Sequence, residues 1–309
     1  MGLTILEAAK LGQGTEIQRA VVELYARNAK ILEYLPFVNI PGNAIKYNRE
    51  EILPGIGFRG VNEGYTASTG VLNPQVESLS IAGGDLEVDN FIVQTEGEDT
   101  RASQESMKAK ALSQAWQETF FKGDSDTDPR EFDGLQKRLV GDQLIPAGAT
   151  SGGDALSLAV LDEAIDAVME PQFLAMNKTM ARRFSAAARD TGVGGYITWT
   201  EDSFGRRIRA YNDLPILAIE NLKGGDDVLP FDEANPGGGA AASTSIYVLS
   251  FADEMVNGIQ NGEMDVRDLG EMETKPSLLT RIEWYAGIQI KHGRAAARLH
   301  GIKNAAITK

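Results

Sequence analysis

The sequence predicts an α+β protein that combines a lobe of mixed helix and sheet with long extended segments. Helical and strand-like periodicities alternate between Asp154 and Ser250. Residues 43–84, in contrast, contain seven glycines, two prolines and few apolar residues that could build a core. Because 309 residues is long for one compact core, we expect two lobes, or one lobe with long extensions.

The composition excludes several classes of protein. The chain has no cysteine, which rules out disulfides, thiolate metal sites and cysteine nucleophiles, and fits assembly in a reducing cytosol. No apolar run approaches the ~20 residues that cross a bilayer, and the start Met1-Gly2-Leu3-Thr4 lacks the basic flank of a signal peptide. We therefore expect a soluble protein that is not secreted. A net charge of −14 argues against binding nucleic acid through the bulk surface.

The N-terminal region predicts an arm. Thr15 and Gln18 resemble a capping box at the start of a helix. An apolar face at helical spacing follows, formed by Ile17, Val21, Leu24, Ile31 and Leu35. Pro36 ends this helix and Pro41 marks a second break, so residues 1–41 are predicted to form an N-terminal arm.

The glycine-rich segment that follows predicts an extended hairpin. It contains two short alternating runs, Ile45-Lys46-Tyr47 and Val76-Glu77-Ser78-Leu79, with little else that could form a core. Because an isolated hairpin is marginal in water, we expect this segment to find its stabilising contacts on another subunit.

A long helix is predicted next. After a strand-like stretch over Leu86 to Gln94, residues 96–122 contain no proline and only one glycine, which allows a helix of roughly 40 Å. One side of its second half is mostly apolar, but Arg101 and Lys108 continue that side in its first half. Only part of this helix is therefore expected to be buried.

The remainder predicts the mixed lobe and a long final strand. A helical face runs from Leu158 to Val168, and a second helix is predicted from Lys178. Short strands are predicted at Phe173 to Met176, Tyr196 to Thr200, Arg207 to Tyr211, Ile216 to Ile219 and Ile246 to Ser250. The glycine-rich stretch 235–243 predicts a mobile surface loop, and the alternation over Ile282 to Ile290 predicts a long antiparallel strand with one apolar face.

The candidate catalytic and cofactor motifs lack the flanking residues and elements that their functions require. Gly55-Ile56-Gly57-Phe58-Arg59-Gly60 has the letters of a dinucleotide fingerprint, but no strong strand precedes it and no helix opens after it. Gly237-Gly238-Gly239 lacks the following Lys-Ser or Lys-Thr of a phosphate loop. The acidic run Asp124, Asp126, Asp128 has calcium-loop spacing but not the required glycine and closing glutamate, so a solvated turn is predicted.

The histidines and the C-terminal region add no catalytic site. His292 and His300 stand near the C-terminus without acidic neighbours after Lys291, so both are predicted to be surface or packing residues. The tail carries Lys291, Arg294, Arg298, Lys303 and Lys309 and no acid. It is predicted to be a solvated basic tail, or alternatively one that faces packaged DNA or an acidic arm. A carboxylate pair of the glycosidase type stays open, because such a pair is defined by distance in space.

The order of these elements, and one local motif above all, resemble the coat proteins of tailed bacteriophages. The run Phe120-Phe121-Lys122-Gly123-Asp124 leads to Phe132-Asp133-Gly134-Leu135, which is similar to the glycine turn and "F-D-G-L" helix start after the spine helix of that family. The stretches Phe173 to Asn177 and Leu214 to Ile216 are similar to segments of the family's axial lobe. Together the resemblance spans Thr15 to Gly293.

The resemblance implies the Hong Kong 97-like capsid fold and its division of the chain. The expected parts are the N-terminal arm (1–41), an extended loop or E-loop (42–84), a peripheral domain (85–140 and 272–309) with its spine helix (96–122), and an axial domain (141–271). Some relatives join a loop lysine to an asparagine, but Lys46 and Asn48 lie in no such context, so we expect no isopeptide bond.

The resemblance also implies function and partners. The expected protein is a major capsid protein, not an enzyme, which assembles in the host cytoplasm into hexamers and pentamers of the icosahedral virion capsid around double-stranded DNA. No catalytic, cofactor-binding or metal-binding residue is expected. Implied partners are copies of itself, a separate scaffolding protein, a portal protein, a decoration protein and packaged DNA through non-specific contacts, with no membrane. The alternatives are an encapsulin-like nanocompartment shell and, from a different class, a soluble hydrolase.

Overall fold

The computed structural model describes residues 3–4, 29–52, 54–96, 98–189, 197–201, 205, 207–220, 227–252 and 254–308. Its helices are α1 (Lys30–Tyr34), α2 (Asn90–Glu96), α3 (Glu98–Lys122), α4 (Leu135–Arg138), α5 (Leu158–Asp166) and α6 (Lys178–Ala187). A single 3₁₀ turn, Gly141–Gln143, follows α4 in the described chain.

The strands form two larger sheets and one separate pair. Those of the first half are β1 (Leu3–Thr4), β2 (Pro36–Asn39), β3 (Ala44–Ile52), β4 (Val71–Ser78), β5 (Ser80–Asp89), β6 (Leu144–Pro146) and β7 (Phe173–Asn177). Those of the second half are β8 (Ile197–Glu201), β9 (Arg207–Tyr211), β10 (Leu214–Ile219), β11 (Ser243–Leu249), β12 (Val256–Gln260), β13 (Asp265–Glu271), β14 (Ser277–Ile290) and β15 (Ala296–Lys303).

The six-stranded sheet is built around β14 and the long helix α3. Its order is β1-β2-β12-β14-β13, and β5 pairs with β14 antiparallel along its whole length. The second half of α3 packs on this sheet, where Trp116 lies 5.7 Å from the Trp284 ring and Phe37 lies 5.2 Å from it. In the first half, Arg101 donates to Thr280 Oγ1 and forms an ion pair with Asp268, both at 2.8 Å. The predicted half-buried helix is therefore confirmed, with its polar half tied to the sheet by charged contacts.

The seven-stranded sheet carries the mixed lobe. Its order is β6-β15-β11-β7-β10-β9-β8, with β10 parallel to β7 and β11 antiparallel to both β7 and β15. Helix α6 follows β7 directly, and the Asn177 side chain caps it by accepting a hydrogen bond of 2.7 Å from the Met180 N–H. Leu161, Phe184 and Leu174 lie in the buried core beneath α5 and α6.

Two predictions of secondary structure need correction. The strand predicted over Leu86 to Gln94 ends at Asp89, because the Asp89 carboxylate accepts a hydrogen bond of 2.8 Å from the Phe91 N–H and so starts helix α2. The helix predicted at 96–122 begins at Glu98 as a separate helix after α2. The helix predicted from Thr15 is described only over Lys30–Tyr34, and its earlier residues lie outside the described chain.

The C-terminal region differs from the predicted solvated tail. Residues Ala296–Lys303 form β15, an internal strand of the seven-stranded sheet between β6 and β11. Conversely, β12 and β13 pair with β14 in the six-stranded sheet. The predicted boundary between residues 271 and 272 therefore does not follow the sheets, because strand pairing between distant segments is not visible in local sequence. The division into axial and peripheral domains itself stays a prediction.

Candidate assembly surfaces

Strands β3 and β4 form a hairpin that is separate from the two larger sheets, as the sequence predicts. The pairs run from Ala44 opposite Ser78 to Ile52 opposite Val71. Nine residues at ~3.3 Å each give the hairpin a strand length of roughly 30 Å. Residues 54–70 connect the strands and are exposed throughout. The hairpin therefore presents a long segment that the rest of the described chain does not cover.

The connecting segment carries large apolar side chains in solvent. Four of these side chains are each more than 70% exposed, namely Ile56, Phe58, Val61 and Tyr65. The Arg59 guanidinium lies 5.2 Å from the centre of the Tyr65 ring, and the Gly60 N–H donates to Glu63 at 2.8 Å. An exposed apolar group of this size marks an interaction surface, because water contact with such side chains is unfavourable. We name residues 54–70 the hairpin tip.

The base of the hairpin is fixed to the body by a polar cluster. Arg138 of α4 forms a two-point ion pair with the Glu77 carboxylate, and its Nη2–Oε2 distance is 2.7 Å. The Tyr47 hydroxyl donates to the Ile290 carbonyl oxygen at 2.8 Å and also lies 3.3 Å from Glu77 Oε1. Burial, followed by the negative charge of Glu77, raises the pKa of Tyr47 to about 12. These contacts join the hairpin to both α4 and β14, and we name the group the base cluster.

Residues 120–124 and 132–135, which we name the phenylalanine–glycine motif, position α4 and hence Arg138. Phe120, Phe121 and Leu135 are fully buried. The Gly134 N–H donates to the Gly123 carbonyl at 2.8 Å, so the backbones of the two glycines approach closely. A Cβ on Gly134 would lie 2.6 Å from the Thr119 carbonyl oxygen, which excludes any other residue without a backbone shift. The motif thus folds the chain back on the end of α3 and starts α4 at a fixed place.

The acidic turn beside this motif is closed by a lysine. Lys137 Nζ lies 2.6 Å from Asp124, 2.7 Å from Asp126 and 2.9 Å from Asp133. Burial opposes ionisation of Asp133, but hydrogen bonds from Ser125 and Lys137 hold its pKa at about 2. The three carboxylates in turn raise the pKa of Lys137. The turn predicted at this acidic run is present over residues 125–127, and the chain's own lysine contacts its carboxylates.

The fingerprint-like and glycine-rich motifs do not form a common site. Gly55 and Gly60 lie in the exposed hairpin tip, where strand β3 precedes them but no helix follows. The stretch 235–243 is a turn held to the sheet by the bridge between Glu233 and Ser243, so its ends are fixed. Among the described residues, no group of three or more His, Cys, Asp or Glu side chains could hold a metal ion.

The two histidines make only local contacts, His292 before strand β15 and His300 on it. His292 Nδ1 accepts a hydrogen bond of 3.0 Å from the Arg294 N–H. His300 lies on β15, half-buried, and burial followed by the charge of Arg298 lowers its pKa. In the described chain, no hydrogen bond or ion pair joins either histidine to a carboxylate.

The predicted basic tail is also corrected in its side chains. Arg298 is buried on β15, where Nη2 lies 2.7 Å from Glu233 and Nε donates to Ser245 at 2.9 Å. Arg294 donates to the carbonyl oxygens of Asp166 (2.7 Å) and Ala167 (3.1 Å) at the end of α5. Arg298 is therefore an internal residue of the lobe and not part of a solvated tail, whereas Arg294 is exposed and bound to the end of α5.

Sequence reasoning missed the base cluster. Arg138, Glu77 and Tyr47 are distant in the chain, and nothing in their spacing connects them. The available signal was the "F-D-G-L" helix start, since the helix that it opens carries Arg138 at its end. No helix in the described chain is long and apolar enough to cross a membrane.

Comparison with known proteins agrees with this geometry. The family model "Major capsid protein GP7" matches residues 12–164, about half of the chain. No curated protein matches the sequence. The SrpI encapsulin of Synechococcus elongatus PCC 7942 aligns with a TM-score of 0.65 at 16% identity, covering 100% of this chain and 99% of that one. The capsid of a native GTA particle gives 0.65 at 16% identity, covering 89% and 90%. A chain of Mycobacterium phage Bobi gives 0.61 at 14% identity, covering 95% and 96%.

The fold is thus shared with the chains of an encapsulin complex and of a GTA capsid. The match of its first half to the capsid family carries the identification further. The chain is a phage-type major capsid protein, a structural subunit that forms a shell with copies of itself.

Proposed function

We propose that the chain assembles through hexamers and pentamers into the icosahedral virion capsid that encloses packaged double-stranded DNA, and that it has no catalytic role. The observation that supports this most is the hairpin tip, which exposes four large apolar side chains on a base fixed to the body. Burying a side chain of this size contributes ~1.5–3 kcal/mol, so covering the tip on a neighbouring copy offers several such contributions per subunit.

The two proposed domains correspond to the two larger sheets. The six-stranded sheet with α3 would form the peripheral domain, and the seven-stranded sheet with α5 and α6 the axial domain at the symmetry axes. The N-terminal arm would run beneath a neighbour and the extended hairpin over one. We further propose assembly in the bacterial cytoplasm with a separate scaffolding protein, a portal protein at one vertex and a decoration protein on the outer face.

Packaged DNA would be contacted non-specifically and locally. The net charge of −14 disfavours attraction of phosphates to the surface as a whole. Contacts would therefore come from single basic side chains on the inner face.

An encapsulin-like shell is the second candidate, because the SrpI chain aligns over essentially the full length of both proteins. The two candidates differ in what the shell encloses. A soluble hydrolase is the remaining alternative, and it would be a discrete monomer in solution.

The deciding experiment is electron microscopy of the expressed full chain, alone and with the other structural proteins of its source. Closed shells, tubes or capsomer rings would support the proposal, and nuclease-protected DNA inside shells would favour the phage capsid. Protein cargo in place of DNA would favour the nanocompartment. Monomers at high concentration under both conditions would contradict shell formation.

A further inference from the structure

A basic pocket of about 170 Å³ lies between α1 and the strands β8, β9 and β10. Three cationic side chains line it, Lys30, Arg207 and Arg209, and none of its lining residues is acidic. The rest of the lining is largely apolar or aromatic. Such a concentration of positive charge is unexpected in a chain with 44 acidic and 30 basic residues.

Arg209 lacks a counter-charge in this pocket. Its Nη1 donates to the Ala181 carbonyl at 3.3 Å, whereas its buried Nε has no hydrogen-bond partner among the described residues. The ion pairs of the described residues include neither Arg207 nor Arg209, although Lys30 pairs with Glu33 at 3.9 Å. A half-buried guanidinium has lost part of its hydration, and here no carboxylate compensates for that free-energy cost.

The lining of the pocket includes Trp199 of a strand at the edge of the sheet. In the described chain β8 is the outermost strand of its sheet and pairs only with β9, so its outer backbone groups lack a strand partner. Trp199 of β8 is 62% exposed and the Arg209 guanidinium lies 5.4 Å from its ring centre. The other two tryptophans, Trp116 and Trp284, are at most 2% exposed. An open edge, an exposed indole and an unpaired cation therefore coincide.

We propose that this pocket binds an aspartate or glutamate side chain of a neighbouring copy of this chain, with Arg209 as the principal contact and Trp199 covered in the process. The inference rests on the proposed shell assembly, which brings copies together. A carboxylate matches the planar guanidinium fork of arginine, and a volume of ~170 Å³ suits one such side chain. The acidic surplus of the chain means that a second copy can supply the group.

The surroundings favour a carboxylate over a nucleic acid backbone. A phosphodiester chain needs a basic groove that continues beyond a single position. Here Glu201 lies directly opposite Arg207 across β8 and β9, and Asp213 follows in the next turn. These acidic side chains interrupt the positive surface within a few residues of the pocket.

Carbodiimide cross-linking of assembled shells tests the proposal directly. The variant Arg209→Lys places an amine in the pocket that forms an amide with an adjacent carboxylate. Shells would be co-assembled from light and ¹⁵N-labelled copies, freed of nucleic acid and cross-linked, then digested for mass spectrometry. We expect mixed-isotope cross-links between position 209 and one Asp or Glu of another copy.

Trp199 provides a second measurement on the unmodified chain, since it is the one tryptophan open to a soluble quencher. Iodide quenching should fall several-fold between unassembled protein and nucleic-acid-free shells, and Trp199→Phe should remove the quenchable component. Arg209→Gln should weaken shells or leave Trp199 quenchable in them. Arg182→Gln removes the same charge from an exposed position on neighbouring α6 and should behave like the parent chain.

Normal shells with neither the cross-link nor the shielding would overturn the inference while leaving shell assembly intact. Shielding that occurs only when nucleic acid is present would also overturn it, in favour of a phosphate ligand. Failure of the parent chain to assemble would instead contradict the proposed function.

Discussion

Arg138 and Glu77 form a two-point ion pair that joins the helix after the phenylalanine–glycine motif to the base of the extended hairpin. Both side chains are less than one-fifth exposed. The pair therefore fixes the direction in which the hairpin leaves the body, and in the proposed shell this direction would determine which neighbouring copy the tip reaches.

Arg138→Gln should loosen the hairpin without unfolding the protein. The change leaves the Glu77 carboxylate partly buried without its cation, which costs ~1–3 kcal/mol locally. Hydrogen exchange of the β3 and β4 amides should become roughly 5- to 150-fold faster, as ~1–3 kcal/mol implies, whereas exchange in the seven-stranded sheet should stay unchanged. Arg130→Gln, at an exposed position nearby, is the matched control. Equal protection of the hairpin in both variants would show that the ion pair does not fix it.

The raised pKa of Tyr47 predicts that the base of the hairpin opens at high pH. Its pKa is raised from 10.0 to about 12, so the neutral hydroxyl is favoured in the folded state. The corresponding stability is fully present below pH ~10 and is lost as the pH rises toward 12. Exchange of the hairpin amides, corrected for intrinsic rates, should therefore increase between pH 10 and 12.

Tyr47→Phe serves as the control for this titration. It removes the hydrogen bond to the Ile290 carbonyl, at a cost of ~1 kcal/mol, and should abolish the additional opening at high pH. A variant that retains the same pH profile would assign the transition to another group.

Large parts of the fold follow from local sequence signals. The half-buried helix, the glycine-rich hairpin and the strands of the mixed lobe occur close to where their periodicities predict them, because each pattern reflects burial along a single element. The start of α2 was missed because Asp89 caps a helix immediately after a strand, and apolar residues such as Phe91 are typical of either structure.

The remaining errors come from long-range pairing. Positive charges near the C-terminus indicate a solvated tail only if they have no buried carboxylate as a partner. The partner of Arg298 is Glu233, which is 65 residues away in the sequence and therefore could not be recognised from local patterns. The base cluster was hidden for the same reason, since Glu77 and Arg138 are 61 residues apart. Sequence therefore predicted the hairpin as an extended segment but not the contacts that orient it.

Phe58→Ser should separate assembly from folding. The Phe58 side chain is fully exposed, so its loss should change the free energy of unfolding of the subunit by less than ~0.5 kcal/mol. Shell yield should fall strongly, because the tip loses its largest apolar contact with a neighbour. Sedimentation and microscopy measure the yield, and Thr66→Ser in the same exposed segment is the control. Parental yield from Phe58→Ser would show that this side chain does not contribute to assembly.

Gly123→Ala tests the close backbone approach in the phenylalanine–glycine motif. A Cβ at this position would overlap the Phe132 carbonyl oxygen, which is backbone and cannot move aside cheaply. We expect a loss of ~2–4 kcal/mol in the free energy of unfolding, measured by denaturant titration. Gly57→Ala adds the same methyl group where no atom lies within 4 Å and should be nearly neutral. Similar stabilities for the two variants would contradict the role of Gly123.

Arg298→Gln should be among the most destabilising single changes in the seven-stranded sheet. Glu233 and Arg298 have side chains only 4% and 10% exposed, so removing the cation leaves a buried carboxylate that is unpaired. Breaking such a pair costs ~3–5 kcal/mol, whereas the ion pairs of half-exposed Arg267 contribute less than ~1 kcal/mol each. Denaturant unfolding of Arg298→Gln and Arg267→Gln at low and high salt measures this difference. A tail that faces DNA would give the opposite result. In that case Arg298→Gln would leave the free energy of unfolding unchanged and would weaken a salt-sensitive contact with DNA.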